Sequence, residues 1–195
     1  MKQINAYKYG MKHIKNYINE KLHVTTKSHA YSCHPETKEE LREIIIQRIK
    51  KDGNECDLND IDVSKITDML ELFDVYTNDI FKDFNCDISQ WNVSNVENME
   101  NMFYKCEKFN CDISDWDVSN VKNMEGMFYK CENFNCDISK WDVSNVTNMR
   151  CMFGMCKNFK QNLDGWNVSN LENMWNTFSD SCPTRPKWYK EYNYL

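Results

Sequence analysis

Apolar residues recur along most of this chain at one fixed interval. Trp91, Trp116, Trp141 and Trp166 stand 25 residues apart, as do Met99, Met124, Met149 and Met174. Phe103, Phe128, Phe153 and Phe178 keep the same interval, as do Phe84, Phe109, Phe134 and Phe159, and Val93, Val118, Val143 and Val168. The unit reads FNCDISxWDVSNVxNMxxMFYKCxx, and four copies fill 84–182. A worn copy, Asp62-Val63-Ser64-Lys65-Ile66-Thr67-Asp68-Met69 and then Phe73, lies 30 residues ahead of the next, which places an insertion of five within 74–83. A unit this short cannot cover its own apolar face. Each copy must be buried by its neighbours, which predicts a repeat solenoid.

Two local patterns sit inside each unit. Met99, Met102, Phe103 and Cys106 are spaced i, i+3, i+4, i+7 and predict one face of a short helix, with a tight irregular turn as the rival. Ser94 before Glu97, and Ser169 before Glu172, read as capping boxes at its start. Cys86-Asp87-Ile88-Ser89 reads as a short strand whose stacked copies would form a narrow parallel sheet. The fold expected is an α/β repeat solenoid, with short strands plus short helices or turns in each 25-residue coil.

The ends need covers, because a stack exposes apolar edges. Thr37 and Glu40 form a capping box, Leu41, Ile44, Ile45 and Ile49 line one helical face, and Asp52-Gly53 stops it. At the other end Pro183 and Pro186 forbid another coil, and Trp188, Tyr189, Tyr192 and Tyr194 can cover the last one. The expected organisation is a basic N-terminal arm over 1–34, partly flexible, and a capping helix over 35–55. One degenerate and four regular repeats follow over 56–182, then an aromatic cap over 183–195.

The run Trp141-Asp142-Val143-Ser144-Asn145-Val146-Thr147-Asn148-Met149, with Met152-Phe153 behind it, resembles the BspA-like leucine-rich-repeat family. Met127-Phe128-Tyr129-Lys130-Cys131, Phe159-Lys160-Gln161-Asn162-Leu163 and the lead-in around 35–69 fit the same pattern. The resemblance implies a leucine-rich-repeat-like fold and an interaction scaffold, often a bacterial surface protein. Cys86, Cys111 and Cys136 depart from it, standing where Gln161 keeps the expected residue. The lead over 11–22 resembles the starts of proteins of large gut phages.

Charge adds an asymmetry. Residues 1–29 carry +5 and the remainder −11, for a net −6, which argues against a general nucleic-acid binder. No apolar run reaches the roughly 18 residues of a membrane span, and 1–27 contains no apolar signal-peptide core. A cytoplasmic location in the producing cell is expected, with association to a surface or particle as the variation.

Ten cysteines raise disulfide and metal chemistry. The Cys-x4-Cys spacings of Cys106/Cys111 and Cys131/Cys136 are products of the repeat, so they point to buried free thiols first and disulfides second. The four histidines, His13, His23, His29 and His34, all precede the repeats, which removes a zinc-type cluster. Asp and Asn exchange in the columns Asn92/Asp117/Asp142/Asn167 and Asp87/Asp112/Asp137/Asn162. Those positions need a hydrogen-bonding side chain rather than a charge, as an Asx turn does. No metal, cofactor or catalytic residue is expected.

Constant columns build the fold, so function falls to the variable ones. Gln90/Asp115/Lys140/Gly165, Glu97/Lys122/Thr147/Glu172 and Glu100/Glu125/Arg150/Trp175 vary. Trp175 puts an indole where other copies carry charge, Arg150 precedes it by one coil, and Tyr104 and Tyr129 lie close by in the unit. Exposed Trp, Tyr and Arg are favoured interface anchors. The expectation is a non-enzymatic protein-recognition or assembly module that binds protein through Trp175, Arg150, Tyr129 and Tyr104. The alternatives are a structural component of a larger particle, phage-encoded or otherwise, and a bacterial surface protein. The rival reading of Trp175 places it beneath the C-terminal tail.

Overall fold

The structure is a computed structural model that describes residues 31–76, 78–179 and 182–190. The basic arm up to residue 30, with His13, His23 and His29, and the cap residues Tyr192 and Tyr194 lie outside the described residues. Among those described, one α-helix forms, α1 (Lys38–Asp52), and one 3₁₀ turn, Asp79–Phe81. The rest is turns joined by isolated parallel bridges.

The helix starts where the capping pattern places it. Thr37 Oγ1 accepts the Glu40 N–H at 3.1 Å, while the Glu40 carboxylate reaches back one residue further than expected, to the Glu36 N–H at 2.8 Å. Gly53 ends it in the left-handed region at φ 89°. Leu41, Ile45 and Ile49 are buried against the first coil. Arg42 fixes the seat: its guanidinium donates to the Glu71 and Leu72 carbonyls at 2.7 and 2.8 Å and lies 5.0 Å from the Phe81 ring centre. In front of the helix, Cys33 pairs with Ile61, so residues 31–34, expected in the arm, join the first coil instead.

The α/β repeat solenoid expected from the sequence is not what forms: among the described residues no sheet is built, and no α-helix forms in the repeats. The segment expected to be helical spends its N–H groups in two directions. Met99, Asn101, Phe103 and Lys105 donate to Asn123, Glu125, Met127 and Tyr129 of the next coil at 2.8–3.0 Å. Met102, Tyr104 and Cys106 donate three residues back, to Met99, Asn101 and Phe103. A helix would satisfy every one of these donors internally and leave nothing to join the coils. Asn101 and Lys105 sit at φ 52° and 64°, which also ends any helix there. The chain still turns Met99, Met102, Phe103 and Cys106 inward, all fully buried.

The parallel pairing likewise runs in the other half of the unit from the one expected. Single bridges link Asp68, Asn98, Asn123, Asn148 and Asn173 in turn, whereas at Cys86-Asp87-Ile88-Ser89 only Asp87 pairs, with Asp57. Ser94 and Ser169 cap no helix; their N–H groups donate to Asn92 and Asn167 Oδ1, closing Asx turns. The exchangeable columns behave the same way, with Asp117, Asp142, Asp112 and Asp137 each accepting from the serine N–H two residues on.

Two phenylalanine ladders form the interior. Phe103, Phe128, Phe153 and Phe178 stack with centroids 5.2–5.8 Å apart. Phe109, Phe134 and Phe159 follow beside them at 5.7–5.8 Å. Trp116, Trp141 and Trp166 are buried, and each donates its indole N–H one coil back, to Ile88, Ile113 and Ile138 in turn, at 3.1–3.2 Å. Trp188 continues the series, donating to Leu163 at 2.8 Å and stacking on Trp166 at 6.3 Å. The described part of the aromatic tail therefore closes the last coil as a substitute tryptophan rung.

Candidate protein-docking groove

The column after each inward phenylalanine carries Tyr104 and Tyr129 and then Gly154. The two phenol rings stack at 5.0 Å with planes 10° apart. Tyr76 adds a third ring at 5.8 Å from Tyr104. It comes from the inserted loop and is 72% exposed. The series stops at Gly154, where a Cβ would stand 2.6 Å from the Tyr129 ring. A glycine there lets the ring lie flat on the backbone.

Trp175 and Arg150 stand on the neighbouring column. The Arg150 guanidinium lies 5.0 Å from the Trp175 ring centre and also meets Glu125 Oε1 at 3.2 Å. Trp175 is 43% exposed. It does not pack beneath the described part of the C-terminal segment, since Trp188 and Tyr189 cover Trp166 and Phe178 instead. Its placement starts from an Asx turn, Asn173 Oδ1 accepting the Trp175 N–H at 3.2 Å, as Asn148 does for Arg150 at 3.1 Å.

Between these two edges runs a groove of about 510 Å³. Tyr104, Tyr129, Arg150 and Trp175, the four residues singled out by the sequence, all line it. Glu71, Asp74, Tyr76, Asn101, Glu125, Gly126, Cys151 and Asn176 complete the wall. The floor residues Glu71, Asn101, Gly126, Cys151 and Asn176 form one column, each at φ between 52° and 59°. Gly126 shares its φ with the non-glycine members of the column; what sets it apart is Asn101 Oδ1, which occupies the place a Cβ would take.

The groove alternates aromatic surface with charge. Lys105 Nζ lies 4.0 Å from the Tyr76 ring centre and hydrogen-bonds its hydroxyl; Lys130 Nζ lies 5.8 Å from the Tyr129 ring. The Lys105 ammonium lowers the Tyr76 phenol pKa. Burial between its neighbours pushes Tyr104 up to about 12. Chemically the surface offers ring edges, phenol hydroxyls, an indole and both signs of charge, a set suited to a peptide carrying apolar and polar groups.

Sequence reasoning missed Tyr76, Gly154 and the floor column. Tyr76 lies in the insertion, where the repeat gives no register. Gly154 had a signal: it breaks a tyrosine column.

Elsewhere the acidic columns are engaged as turn acceptors, and among the described residues no group of three or more His, Cys, Asp or Glu side chains could hold a metal. All ten cysteines are free thiols. His34 pairs with Asp62 at 3.3 Å. No helix among the described residues is long and apolar enough to cross a membrane.

The family model described as "Mycoplasma protein of unknown function, DUF285" matches residues 76–188. No curated protein and no solved structure matches the chain.

Proposed function

This chain belongs to the DUF285 family, and from that premise we propose that it is a non-catalytic protein-recognition or assembly module that docks its partner in the aromatic groove. The motif Trp141-Asp142-Val143-Ser144-Asn145 is our reason for placing its repeat, more finely, with the BspA-like group. One observation carries the reading. Arg150 and Trp175 stand where the repeat leaves residue identity open, and they converge with Tyr104 and Tyr129 on one groove. Folding accounts for the buried tryptophans and phenylalanines. It does not account for an indole left 43% exposed beside an arginine.

A pull-down from the native host tests this, run in parallel with the parent chain and the Trp175→Ala variant. A discrete protein partner captured by the parent and lost with the variant supports recognition. Co-purification with a large particle, unaffected by the variant, favours a structural component instead and overturns the groove.

A further inference from the structure

Cys56 and Cys86 bring their Sγ atoms to 3.2 Å across neighbouring coils. Their backbones set up that approach. Asp87 N–H donates to the Cys56 carbonyl at 2.9 Å, Leu58 N–H to the Asp87 carbonyl at 2.9 Å, and Asp57 pairs with Asp87. Paired segments of this kind lie about 4.8 Å apart, inside the roughly 4.4–6.8 Å Cα separation that a disulfide accepts.

The other cysteines of the repeat are differently engaged. Cys111 Sγ accepts the Ile88 N–H at 3.5 Å and Cys136 Sγ the Ile113 N–H at 3.4 Å, each replacing a backbone acceptor. Cys131 and Cys156 donate to the Phe103 and Phe128 carbonyls at 2.9 and 2.8 Å. The repeat accounts for those sulfurs. The Cys56–Cys86 contact arises at the one place where the column meets the segment following α1.

We propose that Cys56 and Cys86 form a reversible disulfide that locks the front of the stack, with a dissolved low-molecular-weight disulfide as oxidant. Cys56 is half-buried and Cys86 buried, so Cys56 is the thiol the oxidant reaches. Its thiolate attacks one sulfur of RS–SR, breaks that bond and releases RS⁻, which takes the proton Cys56 lost. Cys86 then attacks the mixed disulfide at Cys56, forms the Cys56–Cys86 bond and expels a second RS⁻, which takes the Cys86 proton. The chain loses two electrons and two hydrogens, and one RS–SR becomes two RSH. Burial pushes the Cys86 thiol up, which makes its attack the slower step. The bond closes a loop holding the degenerate repeat and the insertion, and ties the segment after α1 to the first regular coil.

Oxidised glutathione applied to the folded chain, followed by alkylation and peptide mapping, tests the assignment. The expected result is a Cys56–Cys86 cross-linked peptide, a melting temperature higher by about 5–10 °C, and reversal of both by dithiothreitol. Cys111→Ser should leave the cross-link in place and Cys56→Ser should abolish it. The mapping on the parent chain stands even if a variant fails to fold. Recovery of Cys56 and Cys86 both alkylated from folded, oxidant-treated protein, or a cross-link joining Cys86 to Cys111 instead, would overturn the proposal.

Discussion

The Arg150 guanidinium covers one face of the Trp175 indole at 5.0 Å while bonding to Glu125 at 3.2 Å. Glu125, Arg150 and Trp175 are successive members of one column, so three coils contribute to a single surface feature. Trp175 is held by a cation and an Asx turn rather than by a core.

That arrangement predicts a small folding cost for Trp175→Ala. An exposed cation–π contact is worth about 0.5–1 kcal/mol, and the rest of the loss is partial apolar burial. Thermal melting should shift by no more than a few degrees. A collapse in melting temperature would place Trp175 in the core and remove it from the groove.

Trp141→Ala should behave oppositely. Trp141 is only 4% exposed, and its indole N–H donates to the Ile113 carbonyl at 3.1 Å. Loss of a buried aromatic costs about 3–5 kcal/mol. Trp141→Phe keeps most of the ring but strands that carbonyl, at about 1–3 kcal/mol. Denaturant titration of the three proteins should rank them parent, Phe, Ala.

Gly154→Ala probes the tyrosine ladder. The added Cβ would meet Tyr129 Cδ2 at 2.6 Å, and overpacking of this kind costs about 1–3 kcal/mol. Tyr129 must leave its stack on Tyr104, so near-ultraviolet circular dichroism should change while far-ultraviolet signal holds. An unchanged near-ultraviolet spectrum would show that the ladder is not rigid.

The turn columns predict a pH response. Hydrogen bonds from Ser144, Ser114 and Ser139 hold the Asp142, Asp112 and Asp137 carboxyls below their ordinary range. A lowered folded-state pKa contributes stability that is fully present above the unfolded value of about 3.9 and lost as pH falls through the folded value. Stability should therefore drop below about pH 4. Asp142→Asn keeps the Asx acceptor, so melting at neutral pH should stay within about 0.5 kcal/mol and the acid drop should shrink. Asp142→Ala should cost about 1 kcal/mol at neutral pH. Equal melting of the Ala and Asn variants would show that the turn bond is idle.

Which columns face the interior was readable from residue spacing; the α/β build expected for each coil was not borne out. Phe128 repeats because it stacks on its own equivalents Phe103 and Phe153, and Trp141 because its indole N–H bonds the Ile113 carbonyl one coil back; burial follows. The exchange of Asp142 for Asn167 revealed the Asx turns. The path of the chain at Met99–Cys106 was not readable, because inward spacing of i, i+3, i+4, i+7 suits a helix and also a turn ribbon whose alternate N–H groups bond the next coil. Side-chain periodicity does not record where N–H groups donate. The site followed the same division. Arg150 and Trp175 stand out in a variable column, with Tyr104 and Tyr129 close by in the unit, and the four line one groove. Tyr76 sits outside any register, and Cys56 belongs to a column recognisable only once Asp57 is paired with Asp87.

Parallel selection of a displayed peptide library against the parent chain and against Trp175→Ala tests the recognition account most directly. Peptides enriched on the parent should lose at least about 30-fold in affinity for the variant, as for an anchor worth about 2 kcal/mol, with melting nearly unchanged. Enriched peptides that bind parent and variant equally would contradict it.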